Sequence, residues 1–184
     1  MNDKNNRFAL LARSGEVIFH SSDLASLWQV KNPNTLNTTL KRYTQQGLLY
    51  RVYKGFYSLK PVAELDSWLV GIKVLHKYTY VSTETILSQA GIILQNIPYV
   101  TLISSESRRF TIAGRHYYCR QLADKYLHHQ IGIEEKNGIY FAGVERAVAD
   151  LLYFNQRAYL DAQGSVDWSQ VKKIQKAIGY AIKK

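Results

Sequence analysis

Residues 31–59, KNPNTLNTTLKRYTQQGLLYRVYKGFYSL, decide the fold predicted for the front of this sequence. Asn32 can cap a helix, and Pro33 suits the first helical position, where no backbone N–H is needed. The helix is predicted to continue to about Gln46. Gly47 then closes it with a left-handed cap. The segment therefore opens with a helix that has clear signals at both ends.

A basic hairpin is predicted to follow this helix. Strand-forming residues flank Lys54–Gly55 over residues 48–59, and that dipeptide suits a tight turn. Two helices precede the segment, one from about Lys4 to Ala12 and one from a Ser21 or Ser22 cap to about Val30. Between them, residues 17–19 are interpreted as a short apolar link. Three helices followed by a basic hairpin are typical of a winged helix-turn-helix.

The helix after Pro33 has two chemically different faces. Leu36, Leu40 and Tyr43 form an apolar stripe that would dock on the rest of the domain. The opposite face carries short polar groups suited to base edges and cations suited to phosphates. A polar face alone also fits an ordinary solvated helix. The candidate DNA-binding residues are Asn34, Thr35, Thr38 and Gln45 for bases, Lys41 and Arg42 for guanine or phosphate, and Arg51 and Lys54 on the hairpin.

The charge of the chain favours a polyanionic partner. The 184 residues carry a net charge of +10, and residues 1–60 hold nine Lys/Arg against three Asp/Glu, a net +6. Nucleic acid is the first expectation and an anionic membrane surface the second, while a merely soluble basic protein is the alternative. No apolar run approaches the ~18 residues of a membrane span, and no signal peptide is evident, so a cytoplasmic protein is expected.

Pro61 marks the expected start of a second domain, so the predicted domains are residues 1–60 and 61–184. The overall fold class is α+β, a winged helix-turn-helix followed by a mixed α+β domain. The expected elements of the second domain are helices at about 63–77, 82–90, 144–152 and 168–182, a strand at 99–103, a hairpin about Ala113–Gly114, and a strand after the turn at Asn137–Gly138.

The second half offers little chemistry for catalysis. His128 and His129 are adjacent, so on a regular element they point apart and make a poor metal pair. Arg146 and Asp150 lie four apart on a predicted helix, which indicates a surface ion pair. Cys119 is the single cysteine and is interpreted as a small buried hydrophobic residue. No catalytic or phosphate-binding motif occurs, so no enzyme, metal or cofactor is expected.

The order of these parts resembles a known family. The segment SSDLASLWQVKNPNTLNTTLKRYTQQGLLYRVYKGFYSL, residues 21–59, is similar to the N-terminal domain of AbiEi-type antitoxins. These are the transcriptional-regulator halves of bacterial type IV (abortive infection) toxin–antitoxin pairs. The resemblance continues in YVSTETILSQAGI (80–92), YVTLIS (99–104) and GVERAVADLLY (143–153), and covers the chain to about residue 155.

This resemblance implies a function. The protein would repress its own operon by binding inverted repeats in double-stranded promoter DNA, as a solution monomer that binds DNA cooperatively. Its C-terminal domain would act as an antitoxin against a cognate nucleotidyltransferase-like toxin. Two alternatives stay open: a stand-alone winged-helix repressor with a ligand-sensing C-terminal domain, and a nuclease-like enzyme. A nuclease would need an acidic cluster with a lysine at a metal, which the sequence does not suggest.

Four arginines near the predicted hairpin at Ala113–Gly114 are candidates for a second anion surface. Such a surface would face flanking DNA or the toxin. Scattered solvated charges are the alternative interpretation. The four residues are Arg108, Arg109, Arg115 and Arg120.

Overall fold

The computed structural model describes residues 3–180, which form two compact units of mixed α+β structure. The first unit ends at His76 and the second begins at Lys77. The predicted boundary at residue 61 lies 16 residues earlier. The difference arises because a helix at Ser67–Leu75 packs against a strand at Ile18–His20 and so belongs with the first unit.

The first unit contains four helices and a three-stranded sheet within the described residues. Its elements are, in order, α1 (Asp3–Ser14), β1 (Ile18–His20), α2 (Ser21–Leu27), α3 (Pro33–Gln45), β2 (Tyr50–Tyr53), β3 (Phe56–Ser58), a 3₁₀ turn (Val62–Glu64) and α4 (Ser67–Leu75).

The predicted hairpin is confirmed, and it has a third strand beside it. β2 and β3 are antiparallel, with Lys54 and Gly55 in the turn between them. β1 pairs with the other edge of β3, with Ile18 opposite Ser58, so residues 18–20 are a strand and not merely a link. Gly55 has a φ of +79°, and a Cβ there would lie 3.2 Å from Nε2 of His20. Both the positive φ and the close approach of His20 therefore favour glycine in this turn.

The caps decide where the helices begin. Asn32 caps α3, because its side chain accepts the N–H groups of Asn34 and Thr35, as predicted. The cap of α2 differs from the prediction: His20 occupies the cap position, before Ser21 and Ser22. Nδ1 of His20 accepts the N–H of Ser22, so a histidine serves in place of a serine.

The start of α4 also differs from the sequence interpretation. The predicted helix began near Ala63, but residues 62–64 form only a 3₁₀ turn. The α-helix starts after Asp66, whose carboxylate accepts the N–H of Trp68 at 2.8 Å. The cap hydrogen bond of Asp66 determines where this helix begins. The apolar periodicity alone placed the start too early.

The core of the first unit lies between its helices and its sheet. Leu36, Leu40 and Tyr43 of α3 are at most 8% exposed, which confirms the predicted docking stripe. They join buried side chains of α1, α2 and the sheet. The remaining members of this core are Leu11, Phe19, Leu24, Trp28 and Leu49.

The second unit is built around a six-stranded mixed sheet. Its elements are β4 (Thr79–Val81), α5 (Glu84–Gln89), β5 (Tyr99–Ser104), β6 (Arg108–Ile112), β7 (Arg115–Gln121), α6 (Asp124–Leu127), β8 (Ile133–Lys136), β9 (Ile139–Ala142), α7 (Val144–Phe154), a 3₁₀ turn (Gln163–Ser165) and α8 (Trp168–Ile178). The strand order in the sheet is β6-β7-β5-β4-β9-β8.

Most predicted elements of the second unit are confirmed. β6 and β7 form the expected hairpin, and β8 and β9 flank the turn at Asn137–Gly138. The last helix is shorter than predicted, because Gly179 closes it in a left-handed conformation at φ +87°. Ile182, the predicted end of this helix, lies outside the described residues. Within residues 3–180, no helix has the length and apolar run needed to cross a bilayer.

Candidate nucleic-acid interface

The exposed face of α3 is continuous and polar. At about 100° per residue, four of its predicted contact residues lie within an arc of about 60°, centred opposite the buried stripe. All four are exposed. A ligand approaching this face would meet amide, hydroxyl and ammonium groups. These residues are Asn34, Thr38, Lys41 and Gln45.

The other two predicted residues of α3 lie at one side of this arc. Thr35 and Arg42 are exposed, and the Arg42 guanidinium lies 5.5 Å from the ring centroid of Tyr43. Asn37 is exposed as well and was not among the predicted contacts. Its position, three residues after Asn34 and four before Lys41, is the signal that would have identified it.

The hairpin presents the two predicted cations to solvent. Arg51 on β2 lies opposite Tyr57 of β3, and its side chain is exposed. Lys54 is exposed in the turn. The hairpin carries positive charge both along a strand and at its tip.

The four arginines of the second unit do not form one surface. Arg108 pairs with Cys119, and Arg109 pairs with Tyr118. The two neighbouring arginines therefore lie on opposite faces of the sheet. By the same alternation, Arg115 lies on the same face of the sheet as Arg108, and Arg120 lies on the same face as Arg109. Arg120 is ion-paired with Glu84, so its charge is compensated. The predicted group of four is thus divided into two pairs.

Arg109 lines an aromatic pocket on its face of the sheet. Its guanidinium lies 4.4 Å from the ring centroid of Tyr118, and Tyr99 packs edge-on against the same ring. The pocket has a volume of about 360 Å³, and Thr111 and His116 also line it. A guanidinium held over an aromatic ring can still pair with a carboxylate or phosphate through its N–H groups.

The most constrained polar cluster of the second unit is buried. Arg146 and Asp150 of α7 are both 0% exposed, with Nε of Arg146 2.9 Å from Oδ1 of Asp150. The predicted surface ion pair is therefore wrong. Arg146 also donates to the carbonyls of His129 and Ile131 and to the hydroxyl of Tyr80.

Asp150 accepts hydrogen bonds from four side chains. Besides Arg146, these are Tyr80 on β4, Ser82 before α5, and Tyr180 after α8. Burial raises the pKa of Asp150, while the charge of Arg146 and these hydrogen bonds oppose the rise. Burial also raises the pKa of both tyrosines, so their hydroxyls stay protonated and donate. The cluster joins distant segments but has no exposed reacting group, which indicates a structural role.

A glycine makes room for this cluster. Gly132 has a φ of +73°, and a Cβ there would lie 2.8 Å from Cβ of Arg146. No real Cβ tolerates that approach. The backbone can therefore pass close to Arg146 only where the side chain is hydrogen.

Two histidines and a carboxylate meet in the first unit. His20 ends β1, Asp23 lies in the first turn of α2, and His76 ends α4. Nε2 of His76 is 3.4 Å from Oδ2 of Asp23, and the two imidazole centroids are 4.7 Å apart. Burial lowers the pKa of His20, His76 lowers it further, and Asp23 opposes both effects. No sequence spacing indicated this group.

The remaining predicted residues of interest have structural contacts. Cys119 is 0% exposed, as predicted, and burial raises the pKa of its thiol to about 12. The ring of His128 packs against Tyr78, with centroids 5.4 Å apart, whereas the carbonyl of His129 accepts from Arg146.

Comparisons with known proteins give a fold relationship. No family model matches the sequence, and no curated protein matches it. Among solved structures, the chain is similar to the RV2827C protein from Mycobacterium tuberculosis, with a TM-score of 0.57 and 9% sequence identity. The similarity covers 95% of this chain and 71% of that one. At this identity the likeness concerns the fold alone.

Proposed function

We propose that the first unit is a winged helix-turn-helix that binds double-stranded DNA, and that the protein is a transcriptional repressor. The observation that carries this proposal is the exposed polar face of α3, opposite its buried stripe and accompanied by a basic hairpin. The major groove of B-DNA admits one α-helix, whose polar side chains can then pair with base edges.

The proposed contacts divide by chemistry. Asn34, at the start of α3, and Thr38, one turn later, would contact base edges, because recognition helices read bases mainly through their N-terminal residues. Lys54, at the tip of the hairpin, would contact phosphates, which carry no sequence information. The resemblance to AbiEi-type antitoxins supports inverted repeats in the protein's own promoter as the target.

Substitutions on α3 and on the hairpin are expected to have different effects. Asn34→Ala and Thr38→Ala should each weaken binding to the promoter duplex by about 1–3 kcal/mol and leave binding to a scrambled duplex unchanged. Lys54→Ala should weaken both duplexes by the same factor. Gel-shift titrations of the two duplexes at one salt concentration measure these effects.

Lys172→Ala is the matched control, because Lys172 is an exposed lysine of α8 in the second unit. It should leave both affinities unchanged. The assignment of roles would be reversed if Lys54→Ala altered the preference between duplexes while the α3 variants altered only overall affinity.

We further propose that the second unit counters a cognate nucleotidyltransferase-like toxin. The motifs at residues 80–92, 99–104 and 143–153 support this second function, because they follow the order found in AbiEi-type antitoxins. The pocket at Arg109 and Tyr118 offers a surface for the toxin, since Arg109 is exposed and its guanidinium lies over the ring of Tyr118.

The two activities should be separable in the full-length chain. Lys41→Glu with Arg51→Glu should abolish repression of a promoter reporter and keep protection against the neighbouring toxin gene. Arg109→Glu should keep repression and lose protection, because it reverses a charge on the proposed contact surface. Growth beside the induced toxin, with the reporter measured in parallel, gives both results.

Lys172→Glu is the control for charge reversal and should change neither measurement. Loss of protection in the Lys41→Glu, Arg51→Glu variant would contradict the division, because protection would then depend on DNA binding. Full protection by Arg109→Glu would exclude the pocket as the contact surface.

A further inference from the structure

We propose that His20, Asp23 and His76 bind a divalent transition-metal ion of the zinc type. Each of the three side chains offers one ligand atom, and these atoms all lie within 4.8 Å of one another. Two imidazole nitrogens and one carboxylate oxygen are a common ligand set for Zn²⁺ in proteins. None of the three residues belongs to the proposed DNA-binding face of α3.

One of the three separations already matches a tetrahedral ion. Zn²⁺ bonds of about 2.0–2.1 Å at tetrahedral angles place ligand atoms about 3.3 Å apart. Nε2 of His76 and Oδ2 of Asp23 are already 3.4 Å apart. The other ligand-atom separations lie within 4.8 Å, so binding requires the side chains to draw closer, and two of the three, Asp23 and His76, are exposed. The fourth position is left to water or a small ligand.

Hydrogen bonds hold two of the ligands in place. Oδ2 of Asp23 accepts the backbone N–H of His20 at 3.2 Å, which keeps this carboxylate beside the imidazole. Nδ1 of His20 is 2.6 Å from the hydroxyl of Ser22. With Nε2 on the metal, Nδ1 carries the proton and would donate it to the hydroxyl of Ser22, in place of accepting the backbone N–H of that residue as it does without metal.

The third ligand stands at an unusual backbone position. His76 closes α4 in the left-handed region, with φ of 52° and ψ of 33°. Glycine is the usual residue there, and a histidine is strained relative to it. The His76 imidazole lies against that of His20, with centroids 4.7 Å apart. A bound cation would be held by both rings at once.

The surroundings do not repel a cation. The three residues line a cavity of about 300 Å³ that Glu16 and Lys73 also border. Nζ of Lys73 is 2.7 Å from Oε2 of Glu16, so the lysine charge is compensated. The carboxylate of Asp23 therefore sets the charge at the site.

A metal at this point would join three elements of the first unit. His20 and Asp23 connect β1 to α2, and His76 adds the end of α4. The hairpin turn is adjacent, since the carbonyl of Gly55 accepts the N–H of Ser21 at 2.8 Å. An ion that binds the folded unit and not the unfolded chain stabilises the folded unit. The melting temperature of the protein should therefore rise with metal concentration.

Metal titration of the full-length chain, free of any histidine tag, tests the proposal. Zn²⁺ should bind with one ion per chain by calorimetry and raise the melting temperature, while Mg²⁺ at the same concentration should do neither. Co²⁺ should give visible absorption bands of a tetrahedral nitrogen–oxygen site. His76→Asn, which tolerates the left-handed backbone, and Asp23→Asn should each weaken Zn²⁺ binding at least about 10-fold.

His129→Asn is the matched control, because His129 is exposed in the second unit and lies outside the proposed site. It should bind Zn²⁺ as the natural chain does. Absence of saturable binding, or equal loss in His129→Asn and His76→Asn, would overturn the proposal. Circular dichroism without metal verifies that the variants are folded, so a loss of binding cannot be confused with a loss of structure.

Discussion

Arg146→Met is expected to lower the free energy of unfolding by about 3–5 kcal/mol, a large share of the stability of an ordinary domain. The change leaves the carboxylate of Asp150 fully buried, with three neutral hydrogen-bond donors and no opposite charge. It also leaves two backbone carbonyls without the donor they have now. Urea unfolding of the full-length chain measures the loss.

A double variant separates lost charge balance from lost packing. Arg146→Met with Asp150→Leu removes both charges, so it should be more stable than Arg146→Met alone. Lys172→Met is the control, because it removes an exposed cation and should change stability by less than about 0.5 kcal/mol. If Arg146→Met cost no more than Lys172→Met, the buried pair would not have the structural role assigned to it.

Raising the salt concentration fourfold is expected to weaken binding to promoter DNA by about 100-fold or more. Four exposed cations lie on the proposed DNA-binding face, and each neutralised phosphate contributes about −0.9 to the slope of log affinity against log salt. The expected slope is therefore about −3.6 for one copy, and twice that for a pair on inverted repeats. The cations are Lys41, Arg42, Arg51 and Lys54.

A single charge should change this slope by a predictable amount. Arg51→Gln should reduce its magnitude by about 0.9 per copy, whereas Lys172→Gln should leave it unchanged. Fluorescence anisotropy over a series of salt concentrations gives both slopes. An affinity independent of salt would contradict the electrostatic argument for the whole face.

The sequence predicted the parts of the fold that local signals determine. Asn32 and Pro33 identified the start of α3, and Lys54–Gly55 identified the hairpin turn, because caps and tight turns depend on adjacent residues. β1 was missed as a strand for the opposite reason. Its Ile18 pairs with Ser58, 40 residues later. A pairing over that distance cannot be recognised from the few residues around Ile18.

The same distinction applies to the candidate sites. Arg146 and Asp150 have the spacing of a surface pair, and only the arrival of Tyr80 and Tyr180 from distant segments buries them. The separation of the four arginines onto two faces could be inferred from the sequence, because Arg108 and Arg109 are neighbours on one strand and must face opposite ways. Nothing in the sequence indicated that His20 would meet His76, which lies 56 residues later.

The position of β4 in the sheet has a consequence for the newly made chain. Tyr80 pairs with Ile103 of β5 on one side and with Tyr140 of β9 on the other. At about 5–20 residues per second, the ribosome makes β9 some 3–12 seconds after β4. During that interval one edge of β4 has no partner strand, although Tyr80 and Val81 are fully buried in the finished sheet. Chaperone capture and aggregation compete with folding in those seconds.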